Sequence, residues 1–300
     1  MTHMLKHGLP SPIVPDRAVV VGSGGFVGKA VMAKLLGRGV PVAGIARQDI
    51  DLLSADAAKR LTSMLRKSDR LVMIAAQAPV KTNAMLIDNL RMMAAVCTAL
   101  VSVSLEHVTY VSSDAVYADA DVPLSETSCA HPASLHGVMH LAREVMLADA
   151  YKGALCILRP TLIYGAADPH DGYGPNRFRR RANRGEEIVL FGEGEEQRDH
   201  VYIDDVAEIV ARCVAHKSEG VLNIATGTVT SFRGIAEKIA GMVPKAPTIS
   251  TLPRSGPMPH RGYRAFDASS TVRAFPDFHY TPLDVGLRLS QKQEFSDGRS

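Results

Sequence analysis

Tryptophan is absent from the 300 residues, and aromatic side chains make up only 5% of them. So few flat rings exclude a stacking platform for single-stranded nucleic acid, which needs bases laid on aromatic faces. Net charge is scarce too: 34 basic side chains meet 31 acidic ones, leaving +3. That balance offers no bulk attraction for nucleic acid or for an anionic membrane. The densest basic stretch, NRFRRRANRG, reads as a solvated helix face from which one or two arginines could reach a phosphate. The four cysteines, Cys97, Cys129, Cys156 and Cys213, lack metal-type spacing. They read as free thiols in a reducing compartment. No apolar run reaches the roughly 18 residues of a membrane span. The opening MTHMLKHGLPSPIVPD has no apolar core of signal-peptide length. The expectation is a cytoplasmic protein without nucleic-acid or membrane partners, in which residues 1–15 form a loose arm.

What is present is an α/β rhythm. RAVVVGSGG is a β-branched run ending in glycines, and FVGKAVMAKLLGRG has helical periodicity and stops at glycine. VPVAGIAR, RLVMIAA, HVTYVSS and ALCILRP are further short strands. Helical segments separate them, one of them at about 133–150 and one with Ser54 as its expected N-cap. Strands alternating with helices specify a Rossmann-type, doubly wound parallel sheet covered on both faces. After LIYG the texture changes to a Gly/Pro/Asp loop, a strand–turn–strand, a helix and a proline-rich tail. We therefore expect a dinucleotide-binding domain over 16–165, taking in about 204–228. A smaller substrate-binding lobe is expected from 166–203 and 229–300.

The first strand-to-helix turn, VVVGSGGFVG, places Gly22, Gly25 and Gly28 where a tight turn, close approach to a pyrophosphate and helix-on-strand packing require glycine. The helix that opens there offers free N–H groups to the phosphates. At the end of the second strand an NAD site usually presents an acidic residue, whereas this chain has GIAR. Ala46 followed by Arg47 leaves room and charge for a 2′-phosphate, which favours NADP over the alternative, NAD.

Together with these features, a series of segments resembles the extended short-chain dehydrogenase/reductases, in particular the nucleotide-sugar epimerase/dehydratase family, from about residue 18 to 288. GSGGFVG is similar to that family's glycine turn, which adds Phe26 and Val27 to the cofactor set. DLL at 51–53 resembles the adenine-contacting segment, giving Asp51 and Leu52. IAAQA resembles the strand-four motif that lines the cofactor, giving Ala75, Ala76 and Gln77. IDNL supplies the helix asparagine, Asn89. VSSDAVYA places Ser113 at the catalytic Ser/Thr position, with Asp114 as a second candidate acid. LRPTLIYG contributes Pro160. The resemblance implies a nucleotide-diphosphate sugar as substrate, for reduction of a 4-keto group or for epimerisation, and a homodimer. Gln77 and Ser113 would touch the sugar, and Asn176, Arg198 and Arg264 the phosphates.

The family's Tyr-x-x-x-Lys dyad is missing. In SLHGVMHLARE, Gly137 and Glu144 fix the register, so His136 stands at the Tyr position and His140 at the Lys position. Free Tyr titrates near 10 and needs a neighbouring ammonium, whereas His, near 6.5, is already a base at neutrality. His136 would then be the acid/base, with His140 hydrogen-bonded to the cofactor ribose. Two other readings stay open. One is a protein that binds NADP and a sugar nucleotide without redox chemistry. The other is a metal shared by two histidines one turn apart; it finds no third ligand, so no metal is expected.

Overall fold

The computed structural model describes residues 4–296. Its main sheet has seven strands in the order β1-β10-β6-β5-β4-β2-β3. These are β1 (Lys6–His7), β2 (Arg17–Val21), β3 (Val42–Ile45), β4 (Asp69–Met73), β5 (His107–Val111), β6 (Ala154–Pro160) and β10 (Ser218–Ile224). All neighbours pair in parallel except β1 with β10. The central strands are apolar along their length because helices cover both faces. One face is closed by α1 (Phe26–Gly37) and α6 (Ile203–His216), which pack Val31, Leu35, Val206 and Val210 against Val20, Val72 and Leu222. The other face takes α2 (Ala57–Met64), α3 (Asn83–Ser102) and α4 (Leu135–Ala150), with Leu61, Met93, Val96 and Leu147 over Val19, Leu71 and Val108. This is a Rossmann-type doubly wound α/β fold. The strand order reverses beside β2, and the carboxyl ends of β2 and β4 open there into a crevice.

The remaining strands are β7 (Leu162–Tyr164), β8 (Ile188–Phe191), β9 (Gln197–Tyr202), β11 (Val229–Ser231), β12 (Ile249–Leu252) and β13 (Tyr263–Arg264). They form two small sheets, one of β7, β9, β11 and β13 and one of β8 with β12. The helices beside them are α5 (Pro175–Asn183), α7 (Phe232–Ala240), α8 (Ser269–Ala274) and α9 (Leu283–Ser296). Tyr164, Phe178, Leu190, Phe232, Ile235 and Leu287 make a separate core among them. Because β9 runs into α6, the segment returns to the main sheet through β10.

Three expectations are corrected. The N-terminal arm is not loose: β1 pairs with the outer edge of β10, and Gly8, Leu9 and Ile13 donate to Lys217, His216 and Ala215 carbonyls. An open strand edge leaves polar groups to satisfy, and this segment satisfies them. The His7 ring stacks on His216 at 4.3 Å, and its Nδ1 bonds the Ser218 hydroxyl at 2.8 Å. Ser54 does not cap α2; its hydroxyl turns back to the Asp51 carbonyl, and the helix starts at Ala57. Finally, α3 is long and apolar enough, by length and composition, to cross a membrane, although it lies on the sheet with Met93, Val96 and Ala99 buried.

Candidate functional site

A cavity of about 760 Å³ opens at the crevice above β2 and β4. Its floor is the glycine turn. Gly22 has φ +97°, and a Cβ there would lie 2.6 Å from the Ala75 nitrogen. A Cβ on Gly28 would come within 2.0 Å of the Gly22 carbonyl, so the turn and the helix above it close only with glycine. Of the residues expected at the cofactor, Gly22, Gly25, Phe26, Val27, Gly28, Arg47, Asp51, Leu52, Ala75, Ala76 and Gln77 all line this cavity. Arg47 is exposed and reaches Asp51 at 3.4 Å. The Leu53 N–H holds the Asp51 carboxyl below its usual range, with Arg47 adding to the effect.

Three expected cofactor contacts are placed elsewhere. Asn89 is buried; its Oδ1 accepts from the Gln77 N–H, and its amide donates to the Gln77 and Met85 carbonyls. It braces the strand-four loop from behind, with its amide already engaged. Pro160 ends β6, paired with Ile224. His140 is buried and shares a 2.8 Å hydrogen bond between its Nδ1 and the Tyr110 hydroxyl. Sequence reasoning missed Asp168, Pro169 and His170, which a loop before α5 brings to the same cavity. Arg180 holds that loop, donating to the Asp168 and His170 carbonyls and to the Asp171 carboxylate. The Gly/Pro/Asp texture marked the loop but not where it lands.

On the substrate side, Ser113 caps the turn after β5, its hydroxyl accepting from the Ala115 N–H at 3.1 Å. Asp114, buried, is bonded by Arg264 Nε at 3.0 Å and lies 3.9 Å from Arg198. The candidate acid is therefore an ion-paired carboxylate. Arg264 is also committed to Asp119 and to the Asp114 carbonyl, so it is not the free phosphate donor the sequence suggested. Asn176 likewise is engaged: it accepts from the Gly165 N–H and donates to Asp168. Arg198 keeps the loosest tether, to Glu196 at 3.3 Å.

The helix α4 starts at the Ser134 cap, which accepts from the Gly137 N–H. A Cβ on Gly137 would meet the Ala115 carbonyl at 2.0 Å, so the first turn of α4 is seated directly on the Ser113–Val116 turn. His136 is half-buried, and its buried Nδ1 has no hydrogen-bond partner among the described residues. Burial holds its pKa below the ordinary value, and Asp114 opposes that. His140 is depressed further, by burial first and then by His136 and Arg143. Glu144 pairs with buried Arg159 at 2.6 Å and accepts from Ser112. No group of three or more His, Cys, Asp or Glu side chains among the described residues is disposed to hold a metal ion.

The family model described as "NAD dependent epimerase/dehydratase family" matches residues 18–225. A UDP-glucose 4-epimerase of Mycolicibacterium smegmatis is 28% identical over 262 residues, covering 76% of this chain and 82% of the relative. Among solved structures, the UDP-glucose 4-epimerase of Thermotoga maritima with UDP-glucose superposes with a TM-score of 0.83 at 22% identity, over 94% of this chain and 100% of that one. A GDP-L-fucose synthetase of Naegleria fowleri bound to NADP gives 0.82 at 18% identity, over 99% and 98%.

Proposed function

Since the chain belongs to the NAD dependent epimerase/dehydratase family, we propose that it is a nicotinamide-dinucleotide enzyme acting on a nucleotide-diphosphate sugar, with His136 as the acid/base. The observation that carries this reading is the seating of α4. The first turn of α4, which carries the half-buried His136, is seated on the Ser113–Val116 turn, at the carboxyl end of β5 beside β4. The cofactor supplies hydride acceptance or donation at the sugar. The glycine turn would hold its pyrophosphate, and Asp51 and Leu52 would flank its adenosine. His136 takes the proton of the sugar hydroxyl, or returns it to a carbonyl, while Ser113 orients that oxygen. Imidazole is the side chain most often used for such a transfer. Arg198, tethered to Glu196 at 3.3 Å and 3.9 Å from Asp114, would offer its fork of donors to the diphosphate.

Exposed Arg47 beside the adenosine end favours NADP and therefore 4-keto reduction. NAD, bound in several structural relatives, is the alternative and would favour epimerisation. A homodimer would bury the apolar side chains Ile87 and Val101 on α3 and Val138 and Val145 on α4, all exposed. One observation favours a second reading, a binder without redox chemistry: no ammonium stands at position 140, where burial holds the His140 pKa well below its ordinary value. Incubation with NADPH or NADH and a UDP-4-keto sugar, and with NAD or NADP and UDP-glucose, separates the two. Product formation supports the enzyme, whereas saturable cofactor binding with no turnover of any nucleotide sugar supports the binder.

A further inference from the structure

The two α4 histidines have neighbours of opposite sign. Their rings meet edge to face with centroids 4.7 Å apart. At that separation two positive imidazoles repel, so only one of them holds an extra proton. His140 is the inner one, bonded to the Tyr110 hydroxyl. Arg143 lies behind that phenol, fully buried, with its guanidinium 5.4 Å from the ring centroid. Its bonds go to neutral acceptors, the Ala75 carbonyl at 2.8 Å and the Met139 sulfur at 3.6 Å. A buried cation thus stands at the His140 end.

Asp114 stands at the other end. It opens the turn on which α4 is seated, one residue from the carbonyl that Gly137 touches. Arg264 holds its Oδ2, but Oδ1 receives only a long 3.4 Å contact from Ser113 and keeps acceptor capacity. The other titratable and charged groups around the pair are few. Cys97 of α3 lies near Arg143, Arg198 and Arg264 lie behind Asp114, and Glu144 is closed off by Arg159 and Ser112.

We infer that His136 and Asp114 form a histidine–carboxylate pair in which His136 alone takes the proton, while His140, bonded to Tyr110 with the Arg143 cation behind that phenol, stays neutral and positions it. The inference rests on the reading of α4 as the acid/base helix. In the forward transfer the O–H bond of the sugar hydroxyl breaks, an N–H bond forms on His136, and the new positive charge faces Asp114. The arrangement inverts the sign of a Tyr–Lys dyad: there a cation stabilises an anionic base, and here an anion stabilises a base that becomes cationic. His140 is then a positioning residue and not a replacement for the lysine charge.

NMR titration of ring-labelled histidine in the full-length protein tests this without turnover, with signals assigned through His136→Gln and His140→Gln. Between about pH 5 and 8, His136 shows a midpoint and His140 none. Asp114→Asn lowers the His136 midpoint, and His140→Gln leaves it in place. Titration of His140 in that range overturns the inference. So does a His136 midpoint unmoved by Asp114→Asn, or one that rises in His140→Gln. Should Asp114→Asn fail to fold, the His140→Gln arm still decides. A protein inert with every sugar nucleotide would refute the enzymatic reading and leave the pairing to be judged on these midpoints.

Discussion

Acidification from pH 7.5 to 5 should destabilise this fold through histidines it buries in the neutral form. Burial lowers His107 to about 4 and His200 to about 3. His107 donates from Nε2 to the Ser218 carbonyl while its buried Nδ1 has no partner among the described residues, an arrangement that has no place for a second proton. In the unfolded chain both titrate near 6.5. Below that value the unfolded state binds more protons than the folded one, so stability falls as pH falls, until the folded pKa is reached. At pH 5 each of the two costs about 2 kcal/mol by this linkage. Asp199 works in the opposite direction: burial raises it to about 6 against the Thr226 and Gly227 donors, so it returns about 1.4 kcal/mol at pH 5. The three together remove about 2–3 kcal/mol, and His140 adds to the loss in the same direction. That is a large share of an ordinary domain's 5–15 kcal/mol. Urea unfolding at the two pH values reads it, and His107→Gln should flatten part of the slope. Stability that holds constant or rises on acidification would refute the neutral assignment of these side chains.

Gly28→Ala forces a Cβ against the Gly22 carbonyl and should cost about 1–3 kcal/mol in urea unfolding, with loss of dinucleotide binding. Wild-type binding in this variant would mean the turn is not the cofactor floor. Asn89→Ala removes the two bonds that hold the Gln77 backbone, and one to the Met85 carbonyl of its own helix, and should cost about 1–3 kcal/mol, together with weaker cofactor binding by fluorescence titration. Glu144→Gln leaves the Arg159 guanidinium buried without its counter-charge, a loss of about 3–5 kcal/mol. A near-neutral effect on the unfolding midpoint would show that the pair is wet.

Much of this was legible in the chain because it depends on local chemistry. The β2 run, the glycine turn and α1 are specified within 20 residues of one another, and the alternation of strands and helices fixes the covered parallel sheet. The identities of His136 and His140 were equally plain. Their difference was not, because it comes from Tyr110, Arg143 and Asp114, which only the packing of α4 on the turn after β5 brings together. Asn89 and Asn176 show the same limit. A buried amide beside a site reads as a ligand contact until the backbone groups that occupy it are seen. Arg264 reads as a phosphate donor in the sequence, which cannot reveal that Asp114 and Asp119 already hold it. The arm expected loose over 1–15 pairs with the sheet, which was not legible for a related reason: prolines signal irregular backbone but say nothing of an open strand edge that needs a partner.

The central claim is that His136 moves the proton. Its most direct test is a single-turnover measurement of nicotinamide absorbance, with cofactor-saturated protein mixed with its sugar nucleotide. The account predicts a first-order change in the wild type. It predicts a rate lower by about 10²–10⁴-fold in His136→Ala, with cofactor affinity unchanged. Equal rates in the two proteins would contradict it.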